Sequence, residues 1–204
     1  MEDRNYIDQI TQIRTMMDRS SRFLSLSGLS GILAGVYAVI GAFGARYIVE
    51  HRTRRFITLE SVEFKRIVAI AIGVMLLSIL SAMLLSRRKA RKRNETVWNA
   101  TSRRMLINMC IPLLAGGIFA ITILRQGHYG LICPITLIFY GLALINGSKY
   151  TLETIRSLGI LFVALGLINA MLPGYGLEFW TIGFGGFHIL YGTIMYFKFD
   201  RATK

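Results

Sequence analysis

Residues 67–85 form a charge-free apolar run, and residues 87–93, RRKARKR, follow it with only Ser86 between. A helix of about 20 apolar residues crosses the ~30 Å hydrocarbon layer of a bilayer, so the run is long enough to span one. Seven residues with six positive charges cannot follow it through, which keeps this end on the cytoplasmic side. One helix thereby has a direction, and the connections on either side fix the rest.

Five further runs have the same character. The predicted spans are 23–49, 67–85, 105–124, 131–147, 154–172 and 178–198, the last interrupted by glycines but without charge over 179–197. They use more than half of the 204 residues, 53% of which are hydrophobic, and the mean hydropathy is +0.51. These values lie far from a soluble domain and leave no room for one. The expected fold is all-α: a polytopic membrane protein of six transmembrane helices (residues 23–198) with both termini cytoplasmic. An amphipathic helix over 1–22 precedes it and a short tail, 199–204, follows. In that first helix Ile7, Ile10, Ile13 and Met17 make one stripe, while four acids balance four bases. A helix lying on anionic lipid carries an excess of Lys and Arg, so this one is expected to pack on protein, either a partner or the bundle itself. It is too acidic for the start of a signal peptide, and the first span should remain as an anchor.

The net charge of +13 raises the question of nucleic acid, but its placement points elsewhere. Lys and Arg crowd the ends of the apolar runs instead of one face of a folded domain, so anionic lipid headgroups are the expected partner and nucleic acid is not. Arg87, Arg88, Lys89, Arg91, Lys92 and Arg93 are the candidate headgroup contacts. With the N-terminus inside, 17 of the 24 Lys and Arg fall in cytoplasmic segments and 7 outside. The loop 46–66 is the exception, with six bases on the outer side partly offset by Glu50, Glu60 and Glu63. Asn94 is the predicted N-cap of a helix running into the third span.

Small residues at Ser27, Gly31, Gly35, Ala38 and Ala42 place the first span at the centre of the bundle or at a homo-oligomer seam, because they let backbones approach closely. In the third span Pro112 cannot donate to the Asn108 carbonyl, and Gly116 and Gly117 follow one turn later. Asn108, Pro112, Gly116 and Gly117 therefore mark a candidate helix break, a feature of some transport sites and of many purely structural kinks. Pro134 falls in the first turn of the fourth span, where proline is tolerated. Tyr140-Gly141 and Tyr191-Gly192, 51 residues apart at similar depths, suggest a faint internal repeat.

The span centres hold no Asp, Glu, Lys or Arg, which argues against ion-coupled transport. Of three histidines only His188 lies in a span, too few for a metal site within the bilayer. Ser78 and Ser81 have no neighbour that marks either as a nucleophile. No catalytic residue, metal ligand or cofactor is expected. Cys110 and Cys133 lie in different spans, too far apart for a disulfide, and are expected to be small buried apolar groups. By depth, His188, Tyr37, Tyr140 and Tyr191 fall near the midplane. They form either a polar pocket that binds a small ligand or gates a pore, or a neutral histidine exchanging hydrogen bonds with one tyrosine to hold helices together.

The stretches 19–35, RSSRFLSLSGLSGILAG, and 183–196, GFGGFHILYGTIMY, resemble an uncharacterised family of small six-span bacterial inner-membrane proteins. The resemblance implies a bacterial inner-membrane location and no assigned chemistry. Relatives that neighbour winged-helix transcription regulators imply a membrane partner or sensor for such a regulator. The expected function is thus a non-catalytic, membrane-embedded interaction or sensor protein with a cytoplasmic partner. The alternative is a small transporter or channel for an uncharged or lipophilic solute.

Overall fold

The computed structural model describes residues 27–51, 58–92 and 98–200, apart from the side chain of Phe199. The predicted amphipathic helix over 1–22, Arg93, Asn94, the centre of the 46–66 loop and the end of the tail lie outside the described residues.

All regular structure among the described residues is helical. Helix α1 is Gly28–Glu50, α2 is Val62–Lys92, α3 is Ala100–Arg125, α4 is Ile132–Gly147 and α5 is Glu153–Met171. Single 3-10 turns flank α4 on both sides, at Tyr129–Leu131 and Ser148–Tyr150. With those turns included, these five helices are long and apolar enough to cross a membrane. The sixth apolar run is helical as well but not a plain α-helix. Designated α6, it passes without interruption through Gly176–Trp180 (α), Thr181–Phe187 (π), His188–Met195 (α) and Tyr196–Asp200 (π). Wide turns with i→i+5 bonds are rare and short in most proteins, so two in one helix set α6 apart.

The helices alternate in direction. The start of α1 meets the ends of α2 and α6 at one pole, where Asp200 binds Gly28 and Lys89. At the other pole Arg46 near the end of α1 lies 3.5 Å from Glu178 at the start of α6. Helix α2 packs chiefly on α1, α1 on α6, α4 on α5, and α3 on α4. The buried core lies among α4, α5 and α6: Leu137, Leu144, Ile155, Leu158, Phe162 and Met195. Helices α2 and α3 stand at the two margins and expose most of their large apolar side chains.

The small residues of α1 are used inside the chain. Gly28, Gly31 and Gly35 face the α6 backbone around Gly185 and Gly192, and Ala38, Ala42 and Ala45 are buried beside them. A second seam joins α4 to α5, where Gly141 and Gly159 oppose each other's carbonyls.

Helix α3 departs from expectation in three ways. Its N-cap is Asn99, five residues later than expected: Asn99 Oδ1 accepts from Ser102 N at 2.8 Å, and Ser102 Oγ accepts from Asn99 N at 2.9 Å. Both orphan donors are satisfied reciprocally, the arrangement of a capping box. Replacing Asn99 with alanine is expected to cost about 1 kcal/mol, read as a lower unfolding midpoint in denaturant titration. Second, α3 does not break at Pro112. One missing N–H removes one bond of a ladder that its neighbours sustain. Third, Cys110 is exposed, since α3 has a neighbour on one side only; Cys133 is half-buried against Gly176, and both thiols are free.

Candidate functional site

Two places combine polar chemistry with burial. The first is midway along α6. There Gly183 brings the helix against the core, since a methyl group on it would stand 2.6 Å from Leu137 Cδ2 and 3.1 Å from the Phe162 ring. His188 follows and reaches across to α4, with Nε2 2.7 Å from the Tyr140 hydroxyl. Its Nδ1 lies 3.5 Å from the Gly183 carbonyl, which can only accept. The carbonyl contact puts a proton on Nδ1, and in the neutral ring Nε2 then accepts from the Tyr140 hydroxyl.

Aromatic rings enclose this pair. Phe184 stacks on the imidazole at 6.0 Å between ring centres, 11° from parallel. Phe162 meets it edge-on at 5.4 Å and touches Tyr140 at 4.9 Å. Edge-to-face and offset arrangements of this kind hold ring clusters in one geometry.

Of the four residues expected at the midplane, two meet. Tyr191 packs on the core cluster, and its hydroxyl is buried without a hydrogen-bond partner. Tyr37 makes no hydrogen bond or ring contact among the described residues. The candidate break residues make separate contacts along α3: Asn108 Nδ2 donates to the Arg104 carbonyl at 2.9 Å and to the Tyr150 hydroxyl at 3.3 Å. Gly116 receives the Phe139 ring and Gly117 faces open space. Ser78 and Ser81 donate to the carbonyls of Val74 and Ser78. Among the described residues no three His, Cys, Asp or Glu side chains come together.

The second place is the basic pole. The helix α2 does not stop at the bilayer-length run but carries the basic residues with it, so helical periodicity sorts them. Ser86 and Ala90 are buried and Lys89 faces inward with them, while Arg87, Arg88, Arg91 and Lys92 are exposed. Lys89 Nζ lies 2.6 Å from Asp200 Oδ1, with only 11% and 12% of the two side chains accessible. Asp200 Oδ2 accepts from Gly28 N at 2.9 Å and from Ser27 Oγ at 3.3 Å. One carboxylate thus caps α1 and joins it to the ends of α2 and α6. Lys89, expected on headgroups with its neighbours, is committed to protein.

Asp200 is not among the site residues expected from the sequence. A signal was present: a lone acid between Lys198 and Arg201, and small residues, Ser86 and Ala90, either side of Lys89.

No protein-family model, curated protein or solved structure matches the chain.

Proposed function

We propose that the chain is a six-span protein of the bacterial inner membrane, with both termini cytoplasmic, that works without catalysis as an interaction or sensor protein. Its basic pole faces the cytoplasm and meets anionic headgroups and a soluble partner, for which the resemblance suggests a transcription regulator. The sixth span is α6: its 179–197 stretch is charge-free and helical throughout, long enough for the hydrocarbon layer.

The observation that carries this reading is the separation of roles at the basic pole. Four exposed cations, Arg87, Arg88, Arg91 and Lys92, project from a helix end that a buried ion pair holds in place. Near an anionic surface each contributes on the order of 1 kcal/mol of attraction. The midplane polar groups supply no comparable surface, because His188 and Tyr140 are bonded to each other. Affinity purification from native membranes tests the reading. A stoichiometric soluble protein is expected, and it should be lost when residues 2–20 are deleted. Its absence from the intact chain, or a reporter fusion placing residue 90 outside the cell, would sink the proposal.

One observation favours a second reading, passage of a small uncharged solute. The Tyr191 hydroxyl is buried and unpartnered one turn from His188, a polar group that a passing solute could engage. Solute flux in proteoliposomes of the lone protein, abolished in Tyr191→Phe, would support it over the first.

A further inference from the structure

The two glycine seams have the same register. A methyl group on Gly192 of α6 would stand 2.5 Å from Ile32 N and 2.7 Å from the Gly28 carbonyl of α1. A methyl group on Gly141 of α4 would stand 2.8 Å from Val163 N and 2.6 Å from the Gly159 carbonyl of α5. Moving 51 residues back from α6 gives α4, and 131 forward from α1 gives α5. The same shifts hold elsewhere along the seams. Gly35 opposes Ile189 Cγ1 at 2.6 Å and its N at 2.8 Å; Gly166 opposes Ile138 Cγ1 at 2.6 Å and its N at 3.0 Å. Gly28 opposes the Gly192 carbonyl and Tyr196 N, and Gly159 opposes the Gly141 carbonyl and Ile145 N. Ile138, Tyr140 and Gly141 correspond to Ile189, Tyr191 and Gly192, and Gly159 and Gly166 to Gly28 and Gly35.

Helices α4 and α6 run in one direction, α5 and α1 in the other, so the operation relating the pairs preserves direction. Each pair also turns its tyrosine inward: Tyr140 bonds His188 on α6, and Tyr191 packs on the core cluster that α4 and α5 share with Met195 of α6. That shared inward facing is the mark of a two-fold relation. It accounts for the buried, unpartnered hydroxyl of Tyr191, because the position equivalent to His188 on α4 is Leu137, which has nothing to accept a bond.

Within each pair backbone meets backbone. Between the pairs the contacts are side chains: the His188–Tyr140 bond, the Phe162–Phe184 rings, and Gly183 against the Leu137 side chain. We infer that α4–α5 and α6–α1 are two copies of one helix pair, related by a local two-fold between α4 and α6, and that the joint between them, latched by Tyr140 and His188, is where the bundle opens. Bilayer proteins built of parallel repeats rock one repeat against the other at such a joint. The inference holds for a sensor or a pore alike.

Spin-label distance measurement on the full chain in lipid vesicles tests it, with Cys110 and Cys133 replaced by alanine. Labels at the exposed positions Ile40 on α1 and Ile168 on α5 report across the joint; labels at Ile40 and Ile182 on α6 report within one pair. In Tyr140→Phe the first distance distribution is expected to widen about two-fold and the second to stay unchanged. Tyr191→Phe should alter neither. Equal widening of both distributions, or of neither, overturns the joint. Adding Leu137→His to Tyr140→Phe places an imidazole opposite Tyr191 and should narrow the first distribution again. A folded double variant that stays wide overturns the two-fold relation; if that variant does not fold, Leu137→Gln, closer to leucine in shape and with a carbonyl to accept from Tyr191, is read in its place with the same two outcomes.

Discussion

Leucine in place of Gly192 is expected to abolish the folded state, whereas leucine in place of Gly186, six residues earlier on the same helix, should leave stability within error. At Gly192 even one added carbon would press on the α1 backbone, 2.5 Å from Ile32 N. Backbone cannot rotate away as a side chain can, so α1 and α6 must separate along the whole seam. Overpacking of ordinary cores costs about 1–3 kcal/mol, and here the cost should reach or exceed the upper end. In a bilayer the loss is not recovered by hydrophobic association, because lipid is as apolar as the helices it would replace. A methyl group on Gly186 meets nothing within 4 Å. Unfolding in mixed micelles with increasing denaturing detergent, followed by circular dichroism, separates the two outcomes. Equal loss in both variants would mean that added bulk anywhere on α6, not the seam, is at stake, since leucine is the better helix former of the two residues.

The second large effect is expected at Asp200. Alanine there leaves the Lys89 ammonium, 11% accessible, without its carboxylate, and strips the first N–H of α1 of an acceptor. Removing one partner of a fully buried pair costs about 3–5 kcal/mol; at these helix ends, where the pair keeps some exposure, roughly 2–3 kcal/mol is expected. The companion variant Lys89→Met should recover much of that in the double substitution, since an apolar side chain of similar length needs no counter-charge. A double-substitution cycle in the same unfolding assay reads the coupling. High salt should change the result little, because a shielded pair is weakly screened. By contrast Arg46, 54% accessible beside Glu50 and Glu178, belongs to the exposed class of ion pairs that contribute little. Additive losses for Lys89→Met and Asp200→Ala would show that the two act separately.

The elements most legible in the sequence were those that one-dimensional physics dictates. Uncharged runs near 20 residues announced the helices, and the alternation of their ends followed from the short connections between them. Small residues at Gly31, Gly35, Ala38 and Ala42 announced a close seam, though not whether its partner was α6 or another molecule. His188 stood out as the one histidine within a span, but choosing Tyr140 over Tyr37 needed the register of α6 against α4, which two glycine-mediated contacts set. Where three-dimensional context competes with local pattern the reading erred. Asn94 and Asn99 are both competent caps, and only the start of α3 distinguishes them. The six cations of the basic run are alike in the sequence and expected together on headgroups, yet the helix continues through Lys92 and turns Lys89 inward. The wide turns of α6 left no local trace apart from glycines, which also serve the seam.

Helix α2 is 31 residues long, about 46 Å at ~1.5 Å per residue, against a hydrocarbon layer of ~30 Å. It leans on α1 along one side and is pinned at its far end by Lys89. In the bilayer proposed above its apolar part, residues 67–85, is about 28 Å at that rise and matches the layer, while at its other end Phe64 meets the Tyr129 ring at 6.2 Å and Leu59 N donates to the Tyr129 hydroxyl at 3.3 Å. Held at both ends, α2 cannot lean over in a thinner membrane without giving up one of these contacts, so the lipid beside it has to thicken instead.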